Sequence, residues 1–374
     1  MTAQKLKQTE IGEIPEEWEV KRFDELFSIT AGGDLKKEAF SSIKDDKHPF
    51  PIYSNSLTNK GLYGYSSEYT YNENCVTITA RGSLGMANAR DHKFNAIIRV
   101  LVLSPIQKLN CIFMSEYINN RFKFSIESTG VPQLTAPQIS KYKIIYPNPE
   151  EQSAIASILS DTDGLIESLE KLIAKKKNIK QGSMQELFTG KKRLEGFNGD
   201  WEEKILGDVA EIRKGELITE ETRIDGDIPV IAGGKTISYY HNKPNRIKKT
   251  ITVSGSGANA GYVSFHVSPI FASDCSTIEE SLNYSIEYLY FTLLLMQNKI
   301  YKMQTGGAQP HVHPKDLFSI RINIPKDPKE QSAIAQILSD MDLEIEKLER
   351  KRDKYTLLKT GMMQELLTGR IRLK

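Results

Sequence analysis

One thirteen-residue phrase occurs twice in this chain, and it constrains the fold more than any other feature. Glu151 to Asp163 reads EQSAIASILSDTD, and Glu330 to Asp342 reads EQSAIAQILSDMD, 179 positions later. The phrase does not repeat alone. MQELFTGKKRL (Met184 to Leu194) returns as MQELLTGRIRL (Met363 to Leu373) with the same shift. Upstream, the stretch beginning at Trp18 is answered from Trp201, PIYSN at Pro51 by PVIAG at Pro229, and VTITARGS at Val76 by KTITVSGS at Lys249. STGVPQLTAP at Ser128 is answered by QTGGAQPHVHP at Gln304. Collinear self-similarity of this kind marks a duplicated structural unit. Each copy spans roughly 180 of the 374 residues, a length at which a unit can bury its own core.

The two copies diverge unevenly: the tails of about 40 residues stay alike while the fronts of about 140 drift. Matching tails meet similar neighbours, and differing fronts touch different things. The tails read as helices. Asn148 and Asp327 stand at N-cap positions, followed by Pro at N1 and Glu at N3, the arrangement of a capping box. An apolar stripe then recurs in 3-4 alternation through Ile155, Leu159, Ile166, Leu169, Ile173 and Leu187, with Thr162 and Lys180 as polar interruptions. Its counterpart runs through Ile334, Leu338, Met341, Ile345, Leu348, Tyr355, Met362 and Leu366. Such a stripe packs along another helix, and Gly190 and Gly369 stand where a helix stops. About 40 residues make a rod of roughly 60 Å. Two rods in one chain are expected to bury their stripes against each other, antiparallel, because a whole front separates them in sequence. The fronts read as α+β. CVTITARG (Cys75 to Gly82), AIIRVLVLS (Ala96 to Ser104), TITVSGSG (Thr250 to Gly257) and YKIIYP (Tyr142 to Pro147) are β-branched runs bounded by Gly, Pro or Asn. Two amphipathic helices follow from Cys111 and Ser285. The expected domains are 1–147, helix 148–190, 191–326 and helix 327–374.

Composition narrows the class further. A chain with 39% hydrophobic and 26% charged residues is that of an ordinary globular protein. It has no apolar run of the roughly 20 residues needed to cross a bilayer and no apolar signal core at its start. Cys75, Cys111 and Cys275 form no CxxC pair, so a reducing cytoplasmic address is expected. The net charge of +2 does not by itself announce nucleic acid. Of the basic clusters, Lys175–Lys177 and Arg350–Arg352 read as solvated helix faces. The loop from Lys243 to Lys249 is better suited to phosphates.

Catalytic machinery is sought and not found. YPNPEE at Tyr146 lacks the second Pro and the aromatic of an amino-methyltransferase loop. Gly255 to Gly261 is glycine-rich but opens no helix, as a dinucleotide loop must. Glu19-Val20-Lys21 and Glu202-Glu203-Lys204 imitate the end of a nuclease site without its acidic partner. His311 and His313 have no third ligand nearby in sequence, and there is no Walker A motif. Neither a catalytic constellation nor a metal site is expected.

A duplicated unit with two fronts, two alike helical tails and no catalytic residues resembles the specificity (S) subunit of a Type I restriction-modification system. The paired EQSAIA…LSDxD and MQEL[FL]TG blocks carry the resemblance. So do the openings IPEEWEVKRFDELF and DWEEKILGDV and the stretches leading into each helix. The second opening has Leu206-Gly207-Asp208 where the first has Phe23-Asp24-Glu25, a departure in local detail. The resemblance implies two target-recognition domains, each reading one half of a split sequence in double-stranded DNA. An antiparallel coiled coil would set the gap between the halves. It implies no enzyme activity in this chain and no cofactor of its own. Two methyltransferase (M) subunits would bring S-adenosylmethionine, and restriction (R) subunits would bring ATP and Mg. Expected base contacts are loop residues: Lys36, Lys37, Asn55, Lys60, Arg81, Ser83 and Gln133 in the first front. In the second they are Lys214, Lys235, Arg246, Lys248, Ser254, Ser256, Gln309 and His311. The alternative on the residues alone is a duplicated protein-interaction scaffold that binds no DNA.

Overall fold

A computed structural model describes residues 5–124 and 133–373. The chain forms two compact units: residues 1–168 with 351–374, and residues 169–350. The boundaries between the units fall inside the two long helices. Each unit holds one front together with part of both long helices.

In the first unit a four-stranded antiparallel sheet runs in the order Phe27–Ala31, Leu101–Pro105, Cys75–Ile78, Ala87–Arg90. Helix Cys111–Arg121 follows it, capped by Asn110, whose side chain accepts from the amides of Ile112 and Phe113. A smaller sheet joins Asn95–Ala96, Phe50–Tyr53, Leu62–Ser66 and Phe40–Ser41. The second unit repeats this plan: Arg213–Lys214, Cys275–Glu279, Thr250–Ser254 and Val263–His266 form its main sheet. Tyr239–His241, Ile228–Ile231 and Phe271–Ala272 form the smaller one. A two-stranded ribbon leads into each long helix, Glu19–Arg22 with Lys143–Tyr146 and Trp201–Ile205 with Arg321–Pro325.

Two runs that read as continuous are broken. AIIRVLVLS changes sheets, because Ile98 and Arg99 adopt left-handed conformations (φ 54° and 60°) between Ala96 and Leu101. That backbone is costly for a β-branched residue. Both ends of the kink are held: the Ile98 amide donates to Gly33 O, and the Asn55 side chain donates to Ile98 O. The helix from Ser285 ends at Leu295 and resumes at Gln297–Tyr301.

The long helices span Pro149–Phe188 and Pro328–Leu366, and Gly190 and Gly369 close them at φ 67° and 73°. At Gly369 a side chain would also meet the rings of Pro15 and Trp18. Within each unit the helices pair antiparallel. In the first unit Asp163 on one takes the Lys359 ammonium of the other (2.7 Å), while Glu151 takes Arg372. In the second, Asp342 takes Lys180 (2.6 Å), Glu344 takes Lys176 (2.7 Å), and Glu330 takes Arg193. Lys180 is therefore an ion-pair member within the stripe, not an apolar contact.

The capping prediction holds in part. Asn148 Oδ1 accepts from the Glu151 amide (2.8 Å), but the Glu151 carboxylate does not turn back to the cap. It is buried and accepts the Trp18 indole N–H (2.8 Å) and both arms of Arg372. Glu330 does the same for Trp201 Nε1 (3.3 Å) and Arg193 (2.8 and 2.9 Å). A buried indole N–H and a guanidinium need an acceptor more than an N-cap amide does, because unmet buried donors cost about 1–3 kcal/mol. The neighbouring glutamines also act alike. Gln152 accepts the Asn110 amide and donates to Pro147 O; Gln331 accepts the Ser285 amide and donates to Pro325 O. Each glutamine thus ties a strand end, a helix start and the long helix together.

The exchange is the organising feature. Arg372, Leu366 and Leu367 belong to the second repeat yet complete the first unit's core beside Trp18, Ile155 and Leu159. Arg193, Met184, Leu187 and Phe188 belong to the first repeat and complete the second unit, where Leu187 packs in one core with Ile334 and Leu338. The tails are alike because each must fit the other repeat's front.

Candidate nucleic-acid interface

In each unit the loop after a central strand of the main sheet is bridged to the segment that precedes the long helix. In the first, Thr79 shapes the loop: its hydroxyl accepts the Met86 amide (3.0 Å) and donates to Ser83 O (2.5 Å). Gly82 and Gly85 supply the positive φ that the turn requires. Arg81 pairs with Gln133 across an isolated β-bridge, and Leu134 N donates to Ala80 O (2.9 Å). In the second, Ser256 bridges to His311, Gly257 N donates to Pro310 O (3.0 Å) and Val312 N to Gly255 O (3.0 Å). One scaffold thus presents Arg81, Ser83 and Gln133 in one unit, and Ser256, Gln309 and His311 in the other. The glycines at Gly257 and Gly261 make turns and open no helix.

The remaining expected residues fall elsewhere. Lys36 and Lys37 lie at a short 3-10 turn, and Lys36 pairs with Glu68 (2.8 Å), which raises its pKa through that hydrogen bond. Lys60 projects from a left-handed turn. Lys214 and Lys248 are exposed. Lys235 lies over the Tyr262 ring at 5.3 Å, beside the glycine loop. Three residues are committed to the fold. Arg246 is buried, with Nε on Thr277 Oγ1 (2.9 Å) and its other nitrogens on Asn245 O and Lys214 O. Ser254 is buried and donates to Gly233 O (2.8 Å). Asn55 spends its amide on Ile98 O and its carbonyl on the Ala80 amide, fixing the base of the first loop. Arg246 and Ser254 are buried, and all three spend polar side-chain atoms within the fold.

Asp274 is an addition that no local pattern announces. It receives the Ser256 hydroxyl and places a carboxylate beside the second loop. A carboxylate only accepts hydrogen bonds, whereas the first loop's Arg81 carries a guanidinium that only donates. The two loops therefore carry different chemistry on one framework. His311 and His313 stack with parallel rings 5.9 Å apart. Among the described residues no three His, Cys, Asp or Glu side chains gather as a metal-binding group, and no helix is long and apolar enough to cross a membrane.

The model of the family described as Type I restriction modification DNA specificity domain matches this chain twice, over residues 15–180 and 198–354. The chain belongs to this Type I specificity family. Its two fronts are the family's DNA target-recognition domains, and the two matches coincide with the internal repeat. Among curated relatives, the putative specificity subunit of the Type I restriction enzyme MjaX of Methanocaldococcus jannaschii is 26% identical, over 98% of this chain and 97% of its own length. A putative Type I specificity subunit of Mycoplasma genitalium is 21% identical over 93% of each chain. The crystal structure of a Type I restriction-modification S subunit from M. genitalium covers 98% of this chain and 99% of its own, with a TM-score of 0.72 at 21% identity. That likeness supports the fold of duplicated α+β fronts and paired long helices.

Proposed function

We propose that this chain is the sequence-reading subunit of a Type I restriction-modification complex in the cytoplasm, and that each front reads one half of an asymmetric, split target in double-stranded DNA. The observation that carries the reading is the pair of bridged loops: the same position on the same framework bears Arg81 and Gln133 in one unit, and Ser256, His311 and Asp274 in the other. The exposed Lys36, Lys37, Lys60, Lys214, Lys235 and Lys248 serve phosphates, which position a protein without specifying sequence. The helix pair sets the unread gap. Because the Trp–Glu–Arg and Lys–Asp contacts occur twice, the scaffold offers two equivalent docking places, suited to two copies of one methyltransferase subunit. S-adenosylmethionine belongs to those subunits, and ATP and Mg to restriction subunits; this chain performs no chemistry.

Titrating the whole chain with labelled duplex DNA at several salt concentrations tests the DNA assignment. Six or more phosphate contacts predict a fall in affinity of about a thousandfold between roughly 50 and 200 mM salt. Affinity that is absent, or flat with salt, contradicts the assignment.

A further inference from the structure

The first unit holds a cavity that the loop site does not use. About 530 Å³ in volume, it opens on the smaller sheet and is lined by Lys44, Phe50, Tyr53, Tyr65, His92 and Lys93. That volume lies within the range of small-molecule sites. Among the described residues lining it there are three basic side chains and no carboxylate. Of the nearby carboxylates, Asp45 is occupied within its own turn by His48 and the Lys47 amide, and Asp91 pairs with His92 Nδ1 (2.6 Å), which leaves Lys44 and Lys93 as the cations facing the cavity.

The walls are built, not incidental. Tyr53 is fixed on one side by the Arg90 guanidinium, 3.4 Å from its ring, and through its hydroxyl by His92 Nε2 (2.7 Å). Arg90 is itself anchored to Thr77 Oγ1 (2.9 Å) and Lys60 O (2.7 Å). Lys93 lies 4.4 Å over Tyr69, which packs on Phe50 at 4.9 Å. Tyr65, in contrast, is half-buried and makes no ring–ring contact among the described residues. It stands across the ladder from Pro51. The second unit repeats that cross-strand pair as Pro229 and Tyr240, with Tyr240 48% exposed. A partly exposed aromatic lining a cavity beside cations suits a flat, anionic ligand: bases stack on aromatic rings regardless of sequence, and lysine binds phosphate as a point charge.

We propose that this cavity is a nucleotide subsite, in which an unpaired base stacks on Tyr65 and its phosphate is held by Lys44 and Lys93. For its source, an extrahelical nucleotide of bound DNA, the proposal rests on the DNA-reading assignment; the pocket chemistry does not. A mononucleotide in solution is the other source of the same chemistry.

The full chain is titrated with a duplex carrying one extrahelical nucleotide, with its fully paired counterpart, and with adenosine and thymidine monophosphates. The bulged duplex is expected to bind about tenfold tighter than the paired one, the scale of one base–aromatic stack. Tyr65→Ala removes that advantage and leaves paired-duplex binding unchanged, while Tyr65→Phe keeps the advantage and controls for folding. Tight binding of a monophosphate, lost in Tyr65→Ala, supports the site and assigns it to free nucleotide. Equal binding of both duplexes together with no monophosphate binding overturns the proposal and leaves the DNA assignment standing. A chain that binds neither duplex, yet binds monophosphate through Tyr65, overturns the DNA assignment and leaves the pocket standing. Any advantage that survives Tyr65→Ala also overturns it.

Discussion

Deleting residues 366–374 is expected to unfold the first unit and spare the second, although the deleted residues belong to the second sequence repeat. Leu366 and Leu367 are buried in the first unit's core; full burial of a leucine is worth about 1.5–3 kcal/mol. The deletion also removes Arg372, leaving the Glu151 carboxylate buried with the Trp18 indole N–H and without its cation. Stranding one member of a buried ion pair costs about 3–5 kcal/mol. Together these losses, roughly 6–11 kcal/mol, approach the whole stability of a typical domain, about 5–15 kcal/mol. The chain carries its own reporters, because its two tryptophans are Trp18 in the first unit and Trp201 in the second. Urea unfolding of the Trp201→Phe variant reports the first unit, and of Trp18→Phe the second. The deletion should collapse the first midpoint and hold the second. Loss confined to the Trp201 signal would contradict the exchange.

Lengthening both long helices by four residues, between Ser168 and Leu169 and between Arg350 and Lys351, should move the two half-targets apart. Four residues add about 6 Å and return the stripe to within roughly 40° of its face. At about 3.4 Å per base pair, the preferred gap grows by about two. Binding to the original target should fall at least a hundredfold, since one half-site is lost and each mismatched pair costs about 1–3 kcal/mol. A target with the gap widened by two pairs should recover it. Unchanged preference for the original gap would remove the helices as the spacing element. None of the four repeated ion pairs is interrupted by these insertions, so a general loss of fold is not expected.

Much of this architecture is legible in the sequence, and the parts that are not have physical reasons. The helix over Pro149–Phe188 follows from its cap, stripe and glycine, all local signals. The role of Glu151 does not, because its partners Trp18 and Arg372 lie 133 and 221 positions away. A glutamate at N3 reads as a capping residue until those donors are placed beside it. The sheet change at Ile98 is hidden for a similar reason. Its β-branched neighbours read as one strand, and the left-handed turn is held by the Val100 amide on Ile97 O together with contacts to the distant Gly33 and Asn55. At the interface, loop composition locates the segments but not the direction of each side chain. Asn245 fastens its loop to Ala272 through both amide atoms and turns Arg246 inward. Asp274 carries no local signal, because it meets the loop only through strand pairing: Cys275 lies opposite Ser254, and the Asp274 carboxylate takes the Ser256 hydroxyl.

The central claim is that each front independently reads half of a split target. Its most direct test is to map methylated positions in the genomes of cells carrying this chain with its methyltransferase partner. The map is compared with one from cells whose copy has residues 1–145 exchanged for those of a relative. The account predicts a two-part motif with a fixed gap, of which the exchange alters one half and leaves the other half and the gap unchanged. A contiguous motif, or an exchange that alters both halves, would contradict it.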